Sequence, residues 1–157
     1  MHGFISYTHE DLALFREFRK HLTPVERAFE IDFWADTRLQ PGTVWRDEIG
    51  SRIDAAQIFV LLVSPAFLAS DFIYKTELPA IQARRAADPD VLVLPVVLMK
   101  CFWKMVAADR QAVPMRDGAL RPVIDWRPRN DGFDAARAAL GDAIETHTGQ
   151  APIYAFR

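Results

Sequence analysis

At 157 residues, half of them apolar, the chain can bury one substantial core, and it reads as a single domain over residues 1–157. The 19 Lys and Arg against 21 Asp and Glu leave a formal net charge of −2, which gives no reason to expect nucleic acid or an anionic membrane as a direct partner. Cys101 is the only cysteine, which excludes an intrachain disulfide and a thiolate-rich metal site and fits a reducing, cytoplasmic setting.

The opening residues, MHGFISYTHED, lack the basic start and long apolar region of a signal peptide. The apolar run from Val91 to Met99 is nine residues, far short of the roughly 20 a bilayer requires. A soluble chain is therefore expected, with no membrane partner. Its abrupt start at a strand suggests a compact N-terminal module or one domain excised from a larger multidomain protein.

Strand-like and helix-like segments alternate, the pattern of an α/β fold with a parallel sheet. Gly3 to Tyr7 reads as the first strand. From His9 the period becomes helical, with Leu12, Phe15, Phe18 and Leu22 on one face, and Pro24 is expected to end that helix. Ile31, Phe33 and Ala35 form a second strand that stops at Asp36, and a loop containing Pro41-Gly42 follows. Thr43 is placed as the cap of a second helix whose Trp45, Ile49 and Ile53 share a face; Gln57 closes it.

Ile58 to Val63 is uninterrupted apolar sequence, as a central parallel strand covered on both faces requires. Ser70 can cap the next helix, with Asp71 in its first turn and Tyr74, Leu78 and Ile81 along one side. Pro79 should kink or split it. Val91 to Leu98 is a fourth strand in which Pro95 argues for an edge or a bulge. Residues 100 to 120 are a long connection with a short helix near Lys104 to Asp109. Pro122 to Trp126 is expected as a fifth strand, and Phe133, Ala136, Arg137, Leu140 and Ile144 outline a closing helix.

Five parallel strands with helices on both faces give a flavodoxin-like sheet of order 2-1-3-4-5, whose ligand crevice opens beyond the carboxyl ends of strands one and three. Ser6, Tyr7, Thr8 and His9 leave the first strand there, Ser64 and Pro65 the third, and Asp36 and Arg38 the second. Glu77 sits on the adjacent helix. No Gly-rich phosphate loop and no spaced His/Cys metal set is present.

Three blocks, FISYTHED, FWADTRLQPGTVW and IFVLLVSPAFLASDFIYKTELPAI, resemble in order and spacing those of a bacterial Toll/interleukin-1 receptor (TIR) domain, from about Phe4 to about Ile144. The resemblance implies a mobile loop after the second strand, from Asp36 to Trp45. It also implies self-association with other TIR domains. In many bacterial and plant members it implies cleavage of NAD+, as substrate and not cofactor, to nicotinamide and a linear or cyclic ADP-ribose, an activity used in antiviral defence and switched on by assembly. The family's catalytic glutamate falls on Glu77. Many members carry Trp-Cys just before it, where this chain has Ile73-Tyr74.

One carboxylate can suffice for this chemistry. Glycosidases pair two carboxyl groups partly because a poor leaving group must be protonated. Nicotinamide is already cationic at its ring nitrogen and departs neutral, so Glu77 has only to steady the positive charge growing on the ribose and orient its hydroxyls. Ser6, Tyr7, Asp36, Arg38, Trp45, Ser64 and Tyr74 are the candidate substrate-binding residues around it. Bland roles stand beside these: Ser6, Tyr7 and Ser64 can satisfy turns, Asp36 can orient its loop, Arg38 can serve assembly, and Trp45 can simply pack. A non-catalytic TIR–TIR interaction module is the alternative function. A phospho-receiver or flavodoxin fits less well, because the third strand ends in Ser64 where a receiver needs an aspartate.

Overall fold

A computed structural model describes residues 1–38, 43–107 and 111–156, and for Thr43 and Val44 the backbone alone. The cap assigned to Thr43, part of the loop after the second strand, and the end of the helix expected near Asp109 lie outside the described residues. Four parallel strands, β1 (His2–Ser6), β2 (Asp32–Ala35), β3 (Ile58–Val63) and β4 (Leu92–Val97), form a sheet of order β2-β1-β3-β4. All six residues of β3 are buried, which is what a strand flanked by β1 and β4 and covered on both faces requires.

Alternation along the strands splits the core into two layers. Ile5, Val60, Leu62 and Val96 pack beneath α1 (Leu12–Phe29) and α6 (Arg129–Thr148), meeting Phe18, Leu22, Phe133 and Leu140. Phe4, Phe59, Leu61 and Val93 face the other way, toward Ile49 and Ile53 of α2 (Thr43–Ala55) and Ile81 of α4 (Leu78–Ala87). Gly3 permits the β1–β2 contact: a Cβ there would lie 2.2 Å from the Phe33 ring.

Pro24 does not end α1, which runs on to Phe29. A proline inside a helix costs about 3 kcal/mol. Beyond it, however, Val25 and Phe29 continue the buried face, and burying each such side chain returns about 1.5–3 kcal/mol.

The expected fifth strand is also absent from the sheet. Val123–Asp125 instead forms a short 3-10 turn, with Val123 in the core and the Ile124 N–H donating to the Leu98 carbonyl at 3.0 Å. Among the described residues, the outer side of β4 is bridged by Val113 alone, whose N–H donates to the Pro95 carbonyl at 3.0 Å and whose carbonyl accepts from Val97 N–H at 2.8 Å. Pro95 thus stands on the outermost strand of the four, with its missing donor on the outer side.

Within the long connection, α5 (Lys104–Ala107) is followed by a hairpin of β5 (Met115–Arg116) and β6 (Ala119–Leu120). Asp117-Gly118 turns it, both with positive φ (52° and 80°), the pairing that two-residue hairpins favour. Among the described residues no helix is long and apolar enough to cross a membrane.

Candidate active site at the strand ends

The chain leaves β3 at Ser64, an extended residue whose Oγ accepts from Phe67 N–H at 3.0 Å and so caps α3 (Pro65–Ala69). The same hydroxyl donates to the carboxyl of Asp11, at the start of α1. Ser64 is fully buried, and both bonds are spent internally, tying the end of β3 to the turn after β1. Burial raises the Asp11 carboxyl above the ordinary aspartate value, opposed by the Ser64 hydroxyl.

After α3, Ser70 Oγ accepts from Ile73 N–H at 3.3 Å, the cap expected of it. The chain then makes a wide, π-helical turn over Ile73–Glu77, closed by Leu78 N–H bonding the Ile73 carbonyl five residues back. Pro79 explains the widening, because a regular turn would bring its ring against a preceding carbonyl. The split expected at Pro79 is therefore present, and α4 begins at Leu78. Ile73 and Glu77 point inward from the wide turn, whereas Tyr74 is 55% exposed.

Glu77 is only 6% exposed and borders a cavity of about 210 Å3 between the ends of β1 and β2 and the wide turn. One hydrogen bond reaches its carboxyl among the described residues, from Ser6 Oγ to Oε2 at 3.5 Å. Tyr7, His9, Asp36, Trp45 and Phe72 also line this cavity. Trp45 packs on Phe72 at 4.5 Å between ring centroids, and Tyr7 lies between Phe15, at 4.1 Å and nearly parallel, and His9, at 5.6 Å.

Asp36 organises the opposite wall. Its carboxylate accepts from Trp45 Nε1 and from Arg38 N and Nε, the last two at 3.2 Å, while its carbonyl accepts from Tyr7 Oη at 2.7 Å. Arg38 also reaches Glu48 at 3.0 Å. Burial, then the negative charge of Asp36, pushes Glu77 from 4.5 up to about 8, with the Ser6 hydroxyl pulling the other way. Burial and then Asp36 push the Tyr7 phenol up to about 12. The free crevice therefore holds a protonated glutamic acid near neutral pH.

Of the eight candidate side chains, Glu77, Tyr7, Asp36 and Trp45 share the cavity wall, and Ser6 touches Glu77 from behind. Arg38 acts through Asp36. Ser64 is turned inward as a cap. Tyr74 lies on the far side of the wide turn, where with Leu78 and Ile81 it borders a larger hollow of about 430 Å3. No charged side chain lines that hollow among the described residues, whereas Glu77 and Asp36 both line the smaller one. Phe72, on the cavity wall, and Asp11, bonded to Ser64, are not among those candidates. The first follows a capping serine and an aspartate, as a helix-start aromatic would; the second had a signal only in its place one turn after β1.

Comparison with known proteins adds two findings. The family described as "TIR domain" matches residues 4–140. The chain is also 31% identical over 151 residues to the uncharacterized protein y4lF of Sinorhizobium fredii (strain NBRC 101917 / NGR234). That alignment covers 95% of this chain and 46% of y4lF, so the chain spans about half the length of this relative.

Proposed function

The chain belongs to the TIR domain family, and from that premise we propose that it cleaves the nicotinamide–ribose bond of NAD+, with Glu77 as the catalytic residue. The observation that carries the reading is a buried carboxyl facing a small aromatic-walled cavity, with one long hydrogen bond among the described residues. Such a group is left with unfilled acceptor capacity, and ribose hydroxyls would supply the missing donors.

The bond between ribose C1′ and the ring nitrogen breaks with its electron pair leaving on nicotinamide, which becomes neutral. Positive charge passes to the ribosyl group, where Glu77, in the ionised form left once its proton has gone to solvent, opposes it from a site of low dielectric. Addition of water at C1′, with loss of a proton, gives ADP-ribose; addition of a hydroxyl of the same molecule, likewise with loss of its proton, gives a cyclic product. The cavity is smaller than the roughly 300–1000 Å3 that encloses a drug-sized ligand. One copy would therefore enclose the nicotinamide-ribosyl end, and the adenylate would lie outside it. Activity that depends on self-assembly, as an effector of antiviral defence in the cytoplasm, belongs to this same reading.

The test is NAD+ consumption by the chain at high concentration or clustered on a surface, beside Glu77→Gln. A loss of at least about 10²–10³-fold in the variant is expected, the size seen when one charge-stabilising group is removed. Absence of turnover under every crowding condition rejects the enzyme reading, and undiminished turnover in the variant rejects Glu77. A second reading, an interaction module, draws on the exposed Tyr74, Phe102 and Met105, which are 55%, 71% and 49% accessible. Self-association without NAD+ loss would favour it.

A further inference from the structure

The formal charge of −2 is unevenly spread along the chain. From Lys100 to Arg129 the sequence carries seven Lys and Arg against three acidic residues, leaving 12 against 18 elsewhere. The fold gathers three of those cations around one turn. Ile124 N–H bonds the Leu98 carbonyl, which sets Val123–Asp125 beyond the carboxyl end of β4. Trp126 follows and packs on α6 at Gly132, where a Cβ would lie 2.8 Å from its ring; its Nε1 donates to the Arg121 carbonyl at 2.9 Å. The guanidinium carbons of Arg116, in β5, and Arg121, just after β6, stand 5.5 and 5.9 Å from the centre of that ring.

Main-chain oxygens orient two of the three arginines. Nε and Nη2 of Arg121 donate to the Asp125 carbonyl at 3.1 and 2.7 Å, and Nη1 of Arg127 donates to the carbonyls of Ile124 and Trp126 at 2.8 and 3.1 Å. A carbonyl fixes a guanidinium fork without cancelling its charge, unlike the Glu17 carboxylate that holds Arg129. Asp117, Asp125 and Asp131 sit on the same hairpin, turn and helix start. None of them forms an ion pair with Arg116, Arg121 or Arg127 among the described residues. Like charges held together repel, and phosphate groups laid between them turn that repulsion into attraction through paired N–H donors.

We infer that the face made by Arg116, Arg121 and Arg127 binds a linear chain of phosphate groups, inorganic polyphosphate. None of these residues borders the Glu77 crevice, so the inference goes beyond the proposed function and does not rest on it. Arg116 and Arg127 are exposed, and donors spread around an outward turn suit a chain laid across them. Trp126 already lies against Gly132 and the two arginines. The cluster therefore lacks the open ring on which the bases of a single-stranded nucleic acid would stack. Carboxylates of an acidic peptide stand on separate flexible stems, whereas phosphates follow one another directly and present more charge per unit length to a short footprint.

The test is fluorescence anisotropy of short, end-labelled inorganic polyphosphate with the intact chain at neutral pH. Competitors are an oligothymidylate and a polyglutamate of the same formal charge, and vesicles of phosphatidylcholine with phosphatidylglycerol. Three arginine–phosphate contacts should make affinity fall about 20–40-fold between about 50 and 200 mM salt, each arginine supplying about 0.7–0.9 of the logarithmic slope. Arg116 makes no hydrogen bond among the described residues, so Arg116→Gln reads charge without disturbing the turn. It should lower affinity and remove about one such increment of slope, and the triple change Arg116→Gln, Arg121→Gln, Arg127→Gln should lose nearly all binding. Arg52→Gln is the control: that side chain lies over Trp34, on β2 at the other edge of the sheet, and binding should be unchanged. No binding at millimolar phosphate, a slope near zero, or an unaltered slope in Arg116→Gln overturns the inference. Binding of the oligothymidylate, the polyglutamate or the vesicles as tight as that of polyphosphate gives the face to that partner instead and overturns it equally.

Discussion

Replacing Glu77 by glutamine should make the folded chain more stable, by an amount that grows with pH. Its carboxyl titrates at about 8 in the folded chain against 4.5 ordinarily, so the folded state holds a proton that the unfolded state has lost. The associated stability is fully present below pH 4.5 and is lost as pH rises through about 8. Each pH unit within that window costs about 1.4 kcal/mol, so about 3 kcal/mol is gone by neutrality. Glutamine is nearly isosteric, can still accept from Ser6, and does not ionise. Urea unfolding of both proteins at about pH 5 and about pH 8 should show the gap widening by about 3 kcal/mol in favour of the variant. Every other titrating group is common to both and cancels. Parallel pH dependences would falsify the burial argument, because they would mean that Glu77 is solvated in the folded chain.

Three further outcomes follow from the same geometry. If NAD+ is the substrate, kcat/KM should rise with pH and level off above about 8, with the limb displaced to lower pH in Asp36→Asn; a profile flat across that range contradicts the role given to an ionised Glu77. Ser64→Ala removes the cap of α3 and the only side-chain hydrogen bond described to Asp11, and should cost about 1–2 kcal/mol in denaturant unfolding; an unchanged midpoint means the hydroxyl bridge is not formed. Pro24→Ala restores a backbone donor inside α1 and should stabilise the chain, by at most the roughly 3 kcal/mol attributed to an interior proline, seen as a higher thermal midpoint; a lower midpoint means the helix has adapted to proline at that position.

The core was legible where residues repeat a physical constraint. Six consecutive apolar residues in β3 have only one economical environment, and the helical faces through Phe18, Ile49 and Leu140 declare themselves by spacing. Errors arose where a local signal competed with packing out of view. Pro24 marks a helix end on propensity, but the buried Phe29 five residues later outweighs it. Pro122 to Trp126 has the composition of a strand, yet Ile124 N–H finds Leu98 in a turn, and Val113 takes the place beside β4. Tyr74 reads from the sequence as a candidate substrate-binding residue, whereas the π-helical turn carries it to the side opposite Glu77. The Asp11–Ser64 bridge joins residues 53 apart, a separation at which spacing carries no information.

Pro95 also bears on what happens when many copies are gathered together. An outer strand with a free row of donors and acceptors is a template on which another molecule's strand can add, and so on without limit. Here the row is broken at its centre by a residue with no N–H, and the Pro95 carbonyl and the Val97 N–H are already engaged by Val113. β2, on the opposite side of the sheet, is only four residues long. Crowded copies are thereby steered away from growth by strand addition at β4 and toward contacts through helices and loops, so that close packing need not become fibrous aggregation.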